Sequence, residues 1–216
     1  MKKTVLQLKN LHEKPLPEQF QPDDVRYCPE LVEHFLLQYT HEGDIVFDPF
    51  MGFGTTLVVA ERMSRLGFGV EFKEERCNYV RTQIKHPERA LLGDSLRLSE
   101  LSIPDFNLSI TSPPYMGKHH TENPFTAYST KEGGYKQYLR DIGKIYKQIG
   151  EKLKPSGHVI IEVSNLKHND SDVTPLAWDI AREVSQSLTF LGEIVINWEP
   201  TYAYGYDHSY ALIFSK

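Results

Sequence analysis

Short apolar runs and helix-period stripes take turns along this chain, and that alternation limits its fold more than any other feature. Ile45-Val46-Phe47 predicts a buried strand, and Thr55 to Leu66 carries helical periodicity closed by Gly67. Phe68 to Glu71 predicts a second strand and Glu74 to Ile84 a second helix. Ala90-Leu91-Leu92 and Phe106 to Ile110 follow as strands, the latter ended by Pro113-Pro114. Tyr135 to Leu153 predicts a long helix closed by Pro155 and Gly157, then His158 to Val163 a strand and Val173 to Leu188 a helix. Glu193 to Trp198 and Tyr210 to Phe214 close the chain as strands without room for a helix between them. Upstream, Pro29 fits the first turn of a helix whose stripe runs to Tyr39. The stretch up to Asp24, rich in Pro, Lys, Glu and Gln, reads as an irregular arm. Strand–helix alternation of this kind builds an α/β domain: a parallel sheet with helices on both faces, here with an antiparallel element at the end. Ligands of such sheets bind at the carboxyl ends of the strands, where the strand order reverses.

Length and composition restrict the function classes. At 216 residues, 40% hydrophobic and 25% charged, the chain suits one domain with a sizeable core, 1–216 with the arm 1–24. Apolar runs such as Val159-Ile160-Ile161 are too short to span a membrane. The basic start Met1-Lys2-Lys3 is not followed by the apolar stretch of a secretory signal. Two cysteines, Cys28 and Cys77, exclude a disulfide scaffold and a multi-cysteine zinc site, and fit a reduced, cytoplasmic setting. A net charge of -5 argues against an overall positive field that grips nucleic acid, but leaves room for a local basic surface.

The first strand leads into Asp48-Pro49-Phe50-Met51-Gly52-Phe53-Gly54-Thr55-Thr56, a glycine turn that opens a helix. Gly52 and Gly54 allow a tight bend and a ligand's close approach. Glu71 ends the second strand, near the spacing of an acid that binds a ribose, and Asp94 follows the third, where it would accept from an adenine amino group. A nicotinamide dinucleotide would want a third glycine at position 57, which is leucine. Asp48 would repel a pyrophosphate and attract a cationic amino group. A lone Gly-x-Gly is equally a plain strand-to-helix turn; three acids at three successive strand ends favour a ligand site.

Thr111-Ser112-Pro113-Pro114-Tyr115 ends the fourth strand. The prolines fix the backbone. The Ser112 hydroxyl and the Pro113 carbonyl together would accept both hydrogens of one planar NH2 group, with Tyr115 stacked on the ring that bears it. Taken alone, the same residues also describe a rigid turn or a short peptide ligand.

In order and spacing, the two motifs resemble the signatures of the amino-methyltransferases, S-adenosylmethionine-dependent enzymes that methylate exocyclic amines of nucleobases. The resemblance runs from about Pro29 to Lys216. It implies a Rossmann-like class I fold with a mostly parallel seven-stranded sheet and an antiparallel C-terminal strand. It implies S-adenosyl-L-methionine as cofactor, with Asp48, Pro49, Phe50, Gly52, Gly54 and Thr55 around the methionine part. Glu71 would take the ribose, Phe72 would lie against adenine, and Asp94 with Ser95 would take its amino group. Tyr27 belongs to a less clear motif before the first strand. Ser112, Pro113, Pro114 and Tyr115 would be catalytic. The substrate is then DNA, with a base flipped out of the duplex, as in restriction-modification systems. Serine at position 112 leans slightly to cytosine N4 over adenine N6. RNA, a protein glutamine amide, or a non-catalytic nucleic-acid-binding subunit with this fold are the alternatives.

Against the family pattern, only Met116 to Gly134 separates the catalytic motif from the next helix, so no large target-recognition region is expected and a separate specificity subunit or a homodimer would supply one. From Met116 to Lys154 basic residues outnumber acidic ones, Lys118 and Lys131 in the loop among them. They describe a phosphate-facing surface or a solvated helix face. His119 and His120 join Lys118 as candidate substrate contacts; two adjacent histidines lack the further ligands of a metal site, and no metal is expected. The aromatic tail contributes Tyr204 and Tyr206 as candidate walls of the base pocket, with Tyr202 beside them.

Overall fold

The structure is a computed structural model that describes residues 4–12, 14–126, 133–199 and 206–216. One eight-stranded sheet organises it. In chain order its strands are β1 (Val5–Lys9), β2 (Ile45–Asp48), β3 (Leu66–Glu71), β4 (Ala90–Leu92), β5 (Phe106–Thr111) and β6 (Leu153–Val163). A two-stranded hairpin, β7 (Leu166–Asn169) and β8 (Asp172–Thr174), stands apart, and β9 (Thr189–Glu199) and β10 (His208–Ser215) complete the sheet. The spatial order is β1-β9-β10-β6-β5-β2-β3-β4. Strands β6, β5, β2, β3 and β4 run parallel, β10 runs antiparallel to both neighbours, and β1 lies parallel to β9. Chain order runs outward to β4 on one side of β2 and to β6 on the other. The reversal between β2 and β5 opens the crevice where such sheets take their ligands.

Helices cover both faces. On one, α4 (Tyr135–Lys152) buries Tyr138, Ile142, Ile145, Tyr146 and Ile149, a stripe at three- and four-residue spacing, against β5, β6 and α5 (Leu176–Val184). On the other, α1 (Pro29–Tyr39) and α2 (Thr55–Arg62) pack Leu31, Val32, Phe35 and Val59 on the opposite side of the same strands. The third helix on the β3–β4 side, α3 (Glu74–Gln83), buries Cys77 and Val80 beside Met51 and Leu57.

Four local expectations are corrected. The arm contains an edge strand: Val5 to Lys9 alternates exposed and buried, sinks Leu6 and Leu8 into the core and pairs Leu6 with Ile196, so the sheet has eight strands rather than seven. Helix α2 stops at Arg62 rather than Leu66, because Ser64 turns left-handed at φ 62° and Leu66 already pairs with Ile45. Strand β6 begins at Leu153, so Pro155 and Gly157 lie inside it, where the β5–β6 register shifts between Phe106 and Leu108. Finally, α5 is shorter than Val173 to Leu188, since Val173 pairs with Lys167 in the hairpin and Pro175 precedes the first helical turn.

Among the described residues no helix is long and apolar enough to cross a membrane, and no group of three or more His, Cys, Asp or Glu is placed to hold a metal ion.

Candidate active site

The glycine turn is set by Asp48, the last residue of β2. Its side chain is 1% exposed and gathers donors from four places. The Thr111 hydroxyl donates to Oδ1 at 2.6 Å and the Phe50 backbone N–H at 3.0 Å. The Thr56 hydroxyl donates to Oδ2 at 2.6 Å and the Tyr27 hydroxyl at 3.3 Å, while Tyr27 and Thr56 also touch each other. Burial pushes the Asp48 carboxyl up, and these bonds pull it back down. One carboxylate thus ties β2, the glycine turn, the start of α2, the end of β5 and the segment before α1. It does not lie on the cavity wall. Gly54 closes the turn at φ +82°, its N–H bonded to the Met51 carbonyl at 2.7 Å. A Cβ there would stand 2.7 Å from Val80 Cγ1, so position 54 is fixed by conformation and by space.

Above that turn lies a cavity of about 250 Å³ at the carboxyl ends of β2 to β5. Tyr27, Pro49, Phe50, Gly52, Thr55, Glu71, Phe72, Asp94 and Ser95 line it, and so do Ser112, Pro113, Pro114 and Tyr115. Two motifs more than fifty residues apart in sequence therefore share one space. Glu71 is buried, and burial raises its pKa; the Lys73 N–H on Oε1 at 2.8 Å, the Arg76 charge and the Gly52 N–H oppose that rise. Phe72 beside it is 63% exposed and offers an open ring face. Asp94 accepts from Leu96 N–H at 2.9 Å, capping the turn that follows, and the Ser95 hydroxyl donates to the Pro49 carbonyl at 2.5 Å. Of the expected cofactor set, Asp48 and Gly54 alone stand behind the wall rather than on it.

The Ser-Pro-Pro-Tyr turn is braced from two sides. The Tyr138 hydroxyl of α4 donates to the Pro114 carbonyl at 3.0 Å. The Tyr115 hydroxyl accepts from the Ser164 N–H at 2.9 Å and donates to Glu162 Oε2 at 3.3 Å. Phe125 stacks between Phe50 and Tyr138, ring centres 5.5 Å and 5.3 Å away, and with Pro124 covers one side of the cavity.

The candidate substrate contacts fall elsewhere. Lys118 pairs with Asp172 and donates to the Val173 carbonyl at 3.0 Å, and His119 Nε2 lies 2.6 Å from Asp172 Oδ2. His120 Nδ1 accepts from the Gly117 N–H at 3.3 Å, and both histidine rings face His168. These three residues fasten the loop after the Ser-Pro-Pro-Tyr turn to the β7–β8 hairpin instead of lining the cavity. Tyr206 packs against His208 and is not on the wall either. Tyr202, Tyr204 and Lys131 lie outside the described residues.

Sequence reasoning missed Arg26, Lys73 and Arg76 on the cavity wall, Phe125 above it, and Glu162 behind it. Glu162 did leave a signal: an acid in the otherwise apolar run Val159 to Val163 of a central strand. Neither cysteine is placed for chemistry. Both are buried, and burial pushes the Cys28 thiol up to about 11.

In fold the chain is similar to Rossmann-like methyltransferases of known structure. It superposes on TrmN from Thermus thermophilus with a TM-score of 0.63 at 17% identity, covering 95% of this chain and 55% of that one. A TehB-like SAM-dependent methyltransferase from Corynebacterium glutamicum gives a TM-score of 0.59 at 12% identity, covering 92% of each chain. In sequence, residues 7–82 match the family described as DNA methylase. The chain is 35% identical over 83 residues to the orphan methyltransferase M.BamHII of Bacillus amyloliquefaciens, which is 38% of this chain and 31% of that protein. It is 42% identical over 52 residues to the type II methyltransferase M.MjaII of Methanocaldococcus jannaschii, 24% of this chain and 10% of that protein. These matches span about a third and about a tenth of the relatives' lengths. The resemblance to the DNA amino-methyltransferases is thus supported across the cofactor half of the fold.

Proposed function

We propose that the protein is an S-adenosylmethionine-dependent methyltransferase that methylates an exocyclic amino group of a nucleobase in DNA, with cytosine N4 slightly favoured over adenine N6. The observation that carries this is the shared cavity: the ribose- and adenine-binding candidates Glu71, Phe72 and Asp94 face the same space as Ser112 and Pro113. The residues present fit the cofactor. Glu71 would take the ribose hydroxyls, the open Phe72 ring the adenine, and Asp94 its amino group. When bound, the cofactor supplies a methyl group on a positively charged sulfur.

The chain's own residues do the rest. Amines on nucleobases are poor nucleophiles, because the nitrogen lone pair is delocalised into the ring. Ser112 Oγ and the Pro113 carbonyl accept the two amine hydrogens and turn that lone pair toward the donor. Tyr115 stacks on the ring, and Phe125 narrows the entrance. Acceptor dipoles aimed at the nitrogen stabilise the positive charge it gains, and positioning supplies effective molarities of about 10⁵–10⁸ M. A base in duplex DNA has to leave the stack first, at a cost of a few kcal/mol. With a short segment between the catalytic turn and α4, target choice falls to a separate specificity subunit or a second copy of the chain.

Calorimetry with S-adenosylmethionine, followed by methyl transfer from labelled cofactor to DNA, RNA and protein fractions, tests the reading. Binding, with label in DNA and methylated cytosine on digestion and mass spectrometry, is the expected result. Folded protein that fails to bind, or full activity after Ser112→Ala combined with Tyr115→Ala, overturns it. Label in RNA or protein alone moves the substrate and keeps the chemistry.

A further inference from the structure

Immediately behind the Ser-Pro-Pro-Tyr turn sits a carboxylate that the mechanism above leaves unused. Glu162, next to the last residue of β6, is fully buried in one of the two innermost parallel strands of the sheet. Three hydroxyls from two elements converge on it. The Tyr115 hydroxyl donates to Oε2 at 3.3 Å, and its own oxygen is already filled by the Ser164 N–H, so its hydrogen is committed to Glu162. Ser112 from the catalytic turn and Ser209 from β10 also face the carboxyl and ease its charge. Oε1 nevertheless has no well-directed bond among the described residues. From the α1 side the titrating groups that feel its charge include Tyr27 and Cys28, both held neutral by burial. No basic side chain is among the groups that shape its charge. A buried acid in this position raises the folding cost of the strand, and a structural need for it is hard to see where Val159, Ile160, Ile161 and Val163 are apolar.

Resting on the proposed methyl transfer, we propose that Glu162 is the proton acceptor of the reaction, reached through the hydroxyl of Ser112. Before transfer, the Ser112 hydroxyl donates to the Glu162 carboxylate, which leaves Ser112 Oγ as a pure acceptor for one amine hydrogen. As the nitrogen lone pair forms its bond to the methyl carbon, the carbon–sulfur pair stays on sulfur, and the sulfonium becomes a neutral thioether. The nitrogen is now a cation carrying one proton too many. That proton passes to Ser112 Oγ while the Ser112 hydroxyl proton passes to the Glu162 carboxylate, giving a neutral methylated amine and a neutral carboxylic acid. No charge is left on the serine at the end. Glu162 acts through Ser112 and is in that sense a positioning residue. Burial, which raises its pKa, brings the acceptor toward the working pH, where a general base is most effective. Reaction with release of product then returns the proton to water.

The test is Glu162→Gln, measured in single turnovers across pH. Wild type should show a rate that climbs with pH and levels off as Glu162 ionises. The variant should bind S-adenosylmethionine as wild type does, transfer methyl about 10²-fold more slowly, and lose that climb. Infrared difference titration of the cofactor-free protein supplies an independent readout. A carboxylic-acid band absent from Glu162→Gln should titrate with the kinetic midpoint. On a Ser112→Ala background Glu162→Gln should cost almost nothing further, since the relay is already cut. A Glu162→Gln enzyme with wild-type rate and pH profile overturns the inference, as does a carboxyl band that titrates apart from the kinetic limb. Should the variant not fold, that wild-type comparison of band and limb decides alone. Failure of wild type to transfer methyl at all would instead sink the proposed function, which keeps the two failures apart.

Discussion

The two sides of the cavity are built in different ways. The proposed cofactor side is made from strand ends. Asp48 and Glu71 end two neighbouring parallel strands and Asp94 follows the next, and each carboxylate also bonds a backbone N–H group of the turn beside it. The proposed substrate side is made from loops held at a distance. Phe125 owes its place to Asn123, whose side chain accepts the Phe125 N–H at 3.0 Å and donates to the buried Asp141 of α4 at 2.9 Å. Lys118 and His119 lean on Asp172 of the hairpin. A cofactor common to many reactions is served by geometry that the sheet imposes. A variable substrate is served by segments that can be exchanged without disturbing the sheet.

The strongest way to break this comparison is at Asp48. Replacing it with alanine leaves the hydroxyls of Thr56, Thr111 and Tyr27 and the Phe50 N–H without their common acceptor. We expect a loss of about 3 kcal/mol or more, read as a Tm lower by roughly 6–12 °C for a chain of this size. Cofactor binding should fall with it, although Asp48 does not face the cavity. A Tm within a degree or so of wild type would mean that the strand end does not organise the turn, and the distinction between the two sides would fail.

Next in size is Glu71→Gln. The side chain keeps its shape and its Lys73 N–H bond but loses the charge, and the wall residue changes without the scaffold. A charged hydrogen bond is worth about 1.5–3 kcal/mol, so cofactor affinity should drop about 10–100-fold by calorimetry. Affinity for a nucleic acid should stay where it was. A variant that loses both equally would show that the two sides are one cooperative unit.

Legibility in the sequence follows the same division. Asp48, Glu71, Asp94 and the Ser112–Tyr115 turn were readable because a parallel strand puts its last residue at the site, and strand ends can be located by apolar runs. Where the protein departs from simple periodicity, reading fails. Ser64 adopts a left-handed conformation that no pattern announces, so periodicity alone carries α2 past its true end at Arg62. The hairpin Leu166 to Thr174 is charged and short, and Lys118 and His119 from a loop some fifty residues earlier fasten it. Strand β1 is a minimal alternation whose meaning appears once β9 lies beside it. Charge and type point to Lys118, His119 and His120 as substrate contacts, but Asp172, more than fifty residues away, decides where Lys118 and His119 point, and His168 faces His120. Glu162 stood out as an acid among aliphatic residues, yet nothing along the chain says that Tyr115 and Ser112 face it.

The smallest effect concerns stability, and its sign separates a site acid from a scaffold acid. Burial raises the pKa of Glu162 above the ordinary 4.5 of a glutamate. The folded state therefore favours the protonated form. Stability from this preference is complete below pH 4.5 and is lost as pH rises through the raised folded value. Glutamine copies the neutral form at every pH. The Glu162→Gln variant should accordingly match wild type in Tm near pH 4 and exceed it increasingly toward pH 8, each kcal/mol appearing as roughly 2–4 °C. Asp48, also raised by burial, holds four donors that need its oxygens, so Asp48→Asn should gain much less or lose stability over the same range. Melting curves of the three proteins between pH 4 and pH 8 decide the matter. Parallel pH dependence for wild type and Glu162→Gln would show that residue 162 does not change its charge in that interval, and would leave the substrate side without an acid held at a cost to folding.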